Sequence, residues 1–266
     1  MPAWSGVRVV RHSDRRRRAL RRRVLWAGGE VLVTLGVLLM LLVVHQLWWT
    51  NREARRGAER QVEALEREWA GKGPGGGGGA DAPPSASASP AGPAATADSS
   101  TPRASRRPYA PAGLPRQSQA YAVLTIPRLG LRVPVAEGVS RADVLNKGYV
   151  GHYRGTQQPG RAGNFALAGH RNTHGEPFRY LPRLRRGDDI EVETRTATYT
   201  YGVDQILPQT SATDSGVVRP VPRSLLRPAY GYSAPGSYIT LTTCTPEFTS
   251  RYRMVVWGKL VSMRPR

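Results

Sequence analysis

The sequence holds one cysteine, Cys244, within "LTTCTPEFTSRYR", residues 241–253. A lone thiol has no internal disulfide partner, so it serves either as a small buried hydrophobe or as a reactive group. Two short runs bear on the choice. In "NFALAGH", residues 164–170, strand periodicity puts Phe165 and Leu167 on one face and Asn164, Ala166, Ala168 and His170 on the other. In "YITLTTC", residues 238–244, Ile239 and Leu241 share one face, leaving Thr240, Thr242 and Cys244 opposite. Both reactive residues therefore end a predicted strand, on the side away from its large aliphatics. If those strands are parallel neighbours, imidazole and thiol meet beside loops, an arrangement suited to nucleophilic acyl transfer.

A thiolate that attacks a carbonyl builds negative charge on oxygen, and that charge needs fixed donors. Arg253 lies nine residues past Cys244, just before the strand-like "MVVWGKL". A tight turn would return it to the side of the cysteine. Arg251 shares its strand parity and competes for the role. Thr242 and Thr243 flank the nucleophile and are candidate substrate contacts by neighbourhood alone. With ordinary pKa values of about 8.5 for cysteine and 6.5 for histidine, only about 1% of such pairs stand as thiolate and imidazolium at rest. A small active fraction and slow turnover are expected. His174 completes "HRNTH" and, with Cys244, raises the thought of a zinc site. That spacing binds metal from one face of a helix, whereas Gly169 and Gly175 mark a loop, so no metal or cofactor is expected.

The elements that must position these residues are mostly strands. "YAVLTIP", "LRVPVAEG", "NFALAGH", "DIEVETRTATYTYGVDQIL", "YITLTTC" and "MVVWGKLVSM" are β-rich runs separated by turn residues. "SRADVLNKG" fits one short helix, with Ser140 as N-cap, Asp143 three residues on and Gly148 as the stop. "EPFRYLPRL" allows another turn. Many short strands with few helices predict a small closed barrel over 120–266. The irregular run 209–237 is expected to border the site, with Tyr230 and Tyr232 lining a groove or packing.

Upstream of that unit the composition changes three times. The 266 residues carry a formal charge of +20, almost all of it arginine, since Lys72, Lys147 and Lys259 are the only lysines. Such a balance suits nucleic acid or an anionic membrane, and its distribution decides. Residues 1–23 hold nine arginines against Asp14, and residues 24–49, "VLWAGGEVLVTLGVLLMLLVVHQLWW", follow at once. That run is long enough to cross about 30 Å of hydrocarbon. The arginines then act as a topology signal rather than a nucleic-acid patch, leaving the N-terminus cytoplasmic and everything after residue 50 outside. "TNREARRG" lacks the small residues of a signal-peptide cleavage site, so the span is read as a retained plasma-membrane anchor.

Residues 50–70 place Ala58, Val62, Leu65 and Trp69 on one helical stripe, read as a solvated juxtamembrane stalk. Residues 71–119 are rich in Gly, Pro, Ala and Ser and are expected to be a flexible tether. The catalytic unit, 120–266, would then sweep the zone just outside the membrane.

Three blocks, "LTTCTPEFTSRYRMVV", "GNFALAGHRNTHGEPFRYLPRLRRGDDIEVET" and "LTIPRLGLRVPVAEGV", resemble the sortases, surface-protein transpeptidases. The whole layout, including "WWTN" after the apolar run, is most similar to the class E sortases of actinobacteria. The resemblance covers 120–266 and implies an eight-stranded closed β-barrel with His170, Cys244 and Arg253 as the catalytic set. It implies that Cys244 cleaves a Leu-Ala-X-Thr-Gly or Leu-Pro-X-Thr-Gly sorting signal at Thr–Gly through a thioester. The amine of a peptidoglycan precursor then resolves it, with no ATP, metal or nucleic acid involved. Two other readings stand beside it: a membrane-tethered barrel that only binds peptide or wall polymer, and a thiol protease in which water resolves the acyl-enzyme.

Overall fold

The computed structural model describes residues 12–71 and 114–266. Residues 1–11 of the arginine-rich tail and residues 72–113 of the tether expected over 71–119 thus lie outside the described residues. One helix, α1 (His12–Gly71), runs through the apolar stretch and the segment after it. At 1.5 Å per residue it is about 90 Å long. Its apolar part is long enough to cross a membrane, and the large side chains from Val31 to Trp49 are uncovered by protein.

Eight strands follow: β1 (Ala120–Ile126), β2 (Leu131–Glu137), β3 (Val150–His152), β4 (Gly163–Ala168), β5 (Asp189–Thr194), β6 (Ala197–Ser211), β7 (Ser237–Thr245) and β8 (Tyr252–Pro265). They close into a barrel in the order β1-β2-β3-β4-β7-β8-β6-β5. Closure leaves no open sheet edge. The alternation in sequence is what fills it: Leu124, Ile126, Val135, Phe165, Leu167, Ile190, Val192, Ile239, Leu241 and Val256 all point into one buried core. Two of the pairings are parallel, β2 with β3 and β4 with β7. The second of these is the one on which the site depends.

The expected helix over "SRADVLNKG" forms only turns and a short 3-10 turn, Leu145–Lys147. Ser140 does cap its start, accepting from the Asp143 amide at 3.3 Å, and Gly148 takes the left-handed conformation as the stop. The α-helix fails because Val144 leaves helical geometry (φ −127°, ψ −68°) and the chain must enter β3 two residues after the glycine.

The run 209–237 packs over the outer face of β7 and β8. Val217 and Tyr232 join Tyr238, Val255 and Trp257 in a second core. Tyr232 stacks on Tyr238 at 4.1 Å, so it packs rather than lining a groove, and Tyr230 lies against the same cluster. Asp214 ties this segment together. Its carboxylate accepts from the Thr210 and Ser224 hydroxyls and from the Leu225 amide. Burial alone would raise its pKa, but these bonds, with one from Gly216, outweigh it and hold the carboxyl below its usual range.

The stripe after residue 50 is not solvated. Ala54, Ala58, Val62 and Leu65 are buried, and Val62, Leu65 and Trp69 pack on Val123 and Ala120 of β1. Arg132 of β2 pairs with Glu66 at the same seam. A stripe of four small or aliphatic residues meets the barrel wall because that wall also has apolar side chains facing outward.

Replacing Asp214 by Ala should leave two hydroxyls and an amide without their acceptor, at about 1–3 kcal/mol for each unsatisfied buried group. The expected outcome is a fall in stability on the order of 3 kcal/mol, read as a lowered thermal midpoint with the barrel's circular dichroism retained.

Candidate active site

Strand β4 runs parallel to β7, with Phe165 opposite Ile239, Leu167 opposite Leu241 and Ala168 opposite Thr242. The ladder continues past the last pair, since the Gly169 amide donates to the Thr242 carbonyl at 3.1 Å. His170 is two residues beyond Ala168, and Cys244 is two residues beyond Thr242. The thiol thus stands near the end of β7 on the face opposite the core, and the imidazole stands two residues past the end of β4, its parallel neighbour. A Cβ on Gly169 would lie 2.7 Å from the Phe178 ring, so only glycine lets the chain turn toward His170 here. The Phe178 amide in turn donates to the His170 carbonyl at 3.0 Å.

Cys244 is partly exposed. Across the antiparallel pair of β7 with β8, its direct partner is Arg253. Paired residues of neighbouring strands present side chains to the same face. Arg253 Nη1 donates to the carbonyls of Ser250 and Tyr252, both at 2.9 Å. Those two bonds fix the guanidinium and leave its Nε and Nη2 donors for another acceptor. Arg251 lies before β8, exposed, with its guanidinium over the Tyr252 ring at 5.1 Å. The register thus sets Arg253, rather than Arg251, across from the thiol.

His170 is half-buried. Its Nε2 donates to Asn146 Oδ1 at 3.0 Å, which leaves the lone pair on Nδ1. Its ring stacks on His174, with centroids 5.4 Å apart. Burial, reinforced by His174 and Arg141, pushes the His170 imidazolium down to about 4. The ring is therefore neutral at ordinary pH, ready to accept a proton.

Thr242 and Thr243 are both buried. The Thr242 hydroxyl donates to the Leu167 carbonyl at 3.1 Å and lies 3.1 Å from the Tyr153 hydroxyl. The Thr243 hydroxyl donates to the Gly169 carbonyl at 2.8 Å. Both hydroxyls thus stitch the nucleophile's strand to the histidine's.

Three supporting residues were missed by reading the sequence. Arg171 Nη1 donates to the Cys244 carbonyl at 3.2 Å and to the Thr245 hydroxyl at 2.9 Å, tying the end of β7 to the histidine loop. Asn146 orients the imidazole, and Glu176 anchors the loop that carries His174. Arg171 had one available signal, its adjacency to His170. Asn146 and Glu176 had none, because their partners lie 24 residues and more than 120 residues away. No cluster of metal-ligating side chains occurs among the described residues.

A mainly β, closed eight-stranded barrel with a thiol near the end of one strand and an imidazole just beyond its parallel neighbour holds the parts of a cysteine acyl-transfer site. The comparisons with known proteins agree. The sortase domain model matches residues 124–261. Sortase SrtE1 of Streptomyces coelicolor is 43% identical over 245 residues, covering 90% of this chain and 58% of that protein. Sortase SrtE2 of the same organism is 34% identical over 241 residues, covering 88% of this chain and 80% of that protein. The crystal structure of S. coelicolor sortase E1 with a tripeptide in its active site superposes with a TM-score of 0.53 at 52% identity, covering 57% of this chain and 94% of that one. The chain belongs to the sortase family of cysteine transpeptidases, and within it resembles class E.

Followed by NMR, the His170 ring should titrate with a midpoint near 4. His174→Ala, which removes a like charge, should move that midpoint upward. Between about 6.5, where an unfolded histidine takes up its proton, and 4, the unfolded state binds more protons than the folded one. The folded chain should therefore lose stability as pH falls through that window.

Proposed function

We propose that this chain is a membrane-anchored transpeptidase in which Cys244 is the nucleophile, His170 the proton carrier and Arg253 the oxyanion donor. The observation that carries the reading is the parallel β4–β7 pairing, with Cys244 on β7, Arg253 its cross-strand partner on β8, and His170 two residues past the last β4 pair. Cys244 Sγ attacks the carbonyl carbon of the threonine in a sorting signal while its proton passes to the neutral His170 ring. The oxygen gains charge beside Arg253, whose uncommitted N–H groups are placed to receive it. The tetrahedral intermediate collapses, the C–N bond breaks, and His170 returns the proton to the departing glycine amine. The product is a Cys244 thioester, which keeps the acyl group reactive and needs no ATP.

A peptidoglycan-precursor amine then attacks the thioester carbon. A new amide forms, the C–S bond breaks, and Cys244 is regenerated. Leu-Ala-X-Thr-Gly and Leu-Pro-X-Thr-Gly are the signals proposed for surface-protein substrates. The tripeptide named with the S. coelicolor sortase E1 structure supports a peptide groove at this site. Thr242 and Thr243 contribute to substrate binding by holding the floor of that groove in register. The candidate span in α1, preceded by nine arginines in residues 1–23, supports a plasma-membrane location with the N-terminus cytoplasmic and the barrel outside. The domain plan proposed is a basic tail (1–23), span (24–49), helical segment (50–70), linker (71–119) and catalytic domain (120–266).

The test is intact-mass spectrometry of the full chain in detergent with each peptide, with an amine added last. An acyl adduct on the wild type, absent from Cys244→Ala and discharged as an amine-linked product, is the expected result. Discharge only as free acid would indicate a protease. No adduct from either peptide on a folded protein would indicate a binding barrel.

A further inference from the structure

We propose that the first turns of α1 beyond the apolar run, Asn51 to Ala58, are a positioning element of the active site, coupling the membrane anchor to His170. The proposal rests on the functional reading above but uses contacts none of its steps require.

Two helix residues grip two adjacent loop residues. Asn51 Nδ2 donates to Glu176 Oε1 at 2.9 Å, and its Oδ1 accepts from the Gly175 amide at 3.3 Å. Arg55 Nη2 reaches Glu176 Oε2 at 2.9 Å, and its Nε donates to the Gly175 carbonyl at 3.1 Å. This fork-like, charge-assisted grip is specific to arginine geometry. The side chain of Glu176 is only 5% exposed, and these partners supply hydrogen bonds to the buried carboxylate.

The loop they hold is strained. His174, Gly175 and Glu176 lie consecutively at φ +52°, +83° and +53°. Two non-glycine residues in the left-handed region persist only where the surroundings fix them. His174 is the ring that stacks on His170.

The same helix turns touch the other support of His170. A Cβ on Gly148 would lie 2.7 Å from the Ala54 carbonyl, so the helix backbone and the turn that bears Asn146 are in close approach. A groove of about 420 Å³ along this seam is lined by Trp49, Thr50, Glu53 and Ala54 on one side and by Asn146 and Lys147 on the other. Asn146 is the residue that orients the imidazole.

The grip extends to the nucleophile's side as well. Arg179 bonds Glu176 at 2.8 Å and Glu247 at 3.2 Å, and Glu247 stands three residues after Cys244. Arg55, Glu176, Arg179 and Glu247 thus form one chain of charges from the helix to the loop after β7. Thr50 and Asn51 directly follow the apolar run. The span that fixes the protein in a membrane therefore also fixes the height and orientation of its active site.

The test uses the full chain in detergent micelles with Asn51→Ala and Arg55→Ala combined, and Arg55→Lys alone. Peptide turnover, the His170 NMR titration and the thermal midpoint are measured together. The titration is read knowing which groups surround His170: His174 in its own loop, Arg141 and Asn146 from the segment before β3, with Cys244 and Arg253 on the neighbouring strands. In the double variant, kcat should fall roughly 10-fold with KM unchanged, as for a small misplacement of a catalytic group. The His170 midpoint should rise as the loop loosens. Arg55→Lys, which keeps the charge but loses the fork, should fall between the two. A lowered thermal midpoint with kcat and the His170 titration unchanged would overturn the proposal, leaving α1 a merely stabilising contact. If the wild type itself turns over no peptide, the functional reading fails, and the His170 titration still decides the positioning claim.

Discussion

The parallel pairing of β4 with β7 is the constraint on which the rest of the molecule depends. Burying Phe165, Leu167, Ile239 and Leu241 in one core sets the parity of both strands. That parity sends Cys244 to the other face, and the parallel direction puts His170, two residues past β4, at the same end of the sheet. A one-residue slip would turn Cys244 inward and separate the pair. The Thr242 and Thr243 hydroxyls guard against that slip by bonding carbonyls of the histidine's strand. Parallel neighbours need a long crossover, which β5, β6 and the run over the second core supply. The return along β8 then brings Arg253 opposite the thiol at no further topological cost.

Strand pairing fixes backbones, and the loops beyond must be fixed by other means. Here the means are arginines. Arg171 holds the end of β7, while Arg55 and Arg179 share the buried Glu176. The imidazole itself is kept neutral by burial and by the like charges of His174 and Arg141. A neutral base beside a thiol avoids a standing ion pair and moves the proton only when substrate makes the transfer worthwhile. The lowered His170 pKa makes the resting ion pair rarer than the ordinary pKa values alone would.

Strand parity was legible because each strand's buried face is continuous in its own few residues. The barrel, the candidate span and the pairing of Cys244 with Arg253 all follow from such local patterns, helped by three family blocks. What was not legible was whatever joins distant segments. The stripe of Ala58, Val62, Leu65 and Trp69 announced an amphipathic helix but not its cover, since Val123 lies across the whole linker. It reads alone as a solvated stalk, and the structure docks it. The helix expected at Ser140 failed for a related reason: local capping was correct, but Val144 leaves helical geometry and the chain enters β3 at Val150. Tyr232 was ambiguous in sequence and resolved into packing because Tyr238 lies under it.

The claim that strand register places residue 170 against residue 244 is most directly tested by disulfide trapping, since Cys244 is the only native cysteine. If the register of Ala168 opposite Thr242 continues for two residues, positions 170 and 244 lie about 4.8 Å apart, within the Cα separation of about 4.4–6.8 Å that a disulfide spans. Mild oxidation of the His170→Cys chain should give an intramolecular bond, seen as the loss of both titratable thiols and of the mass of two hydrogens. Two free thiols persisting in the folded, oxidised protein would contradict the pairing, and with it the account of the site.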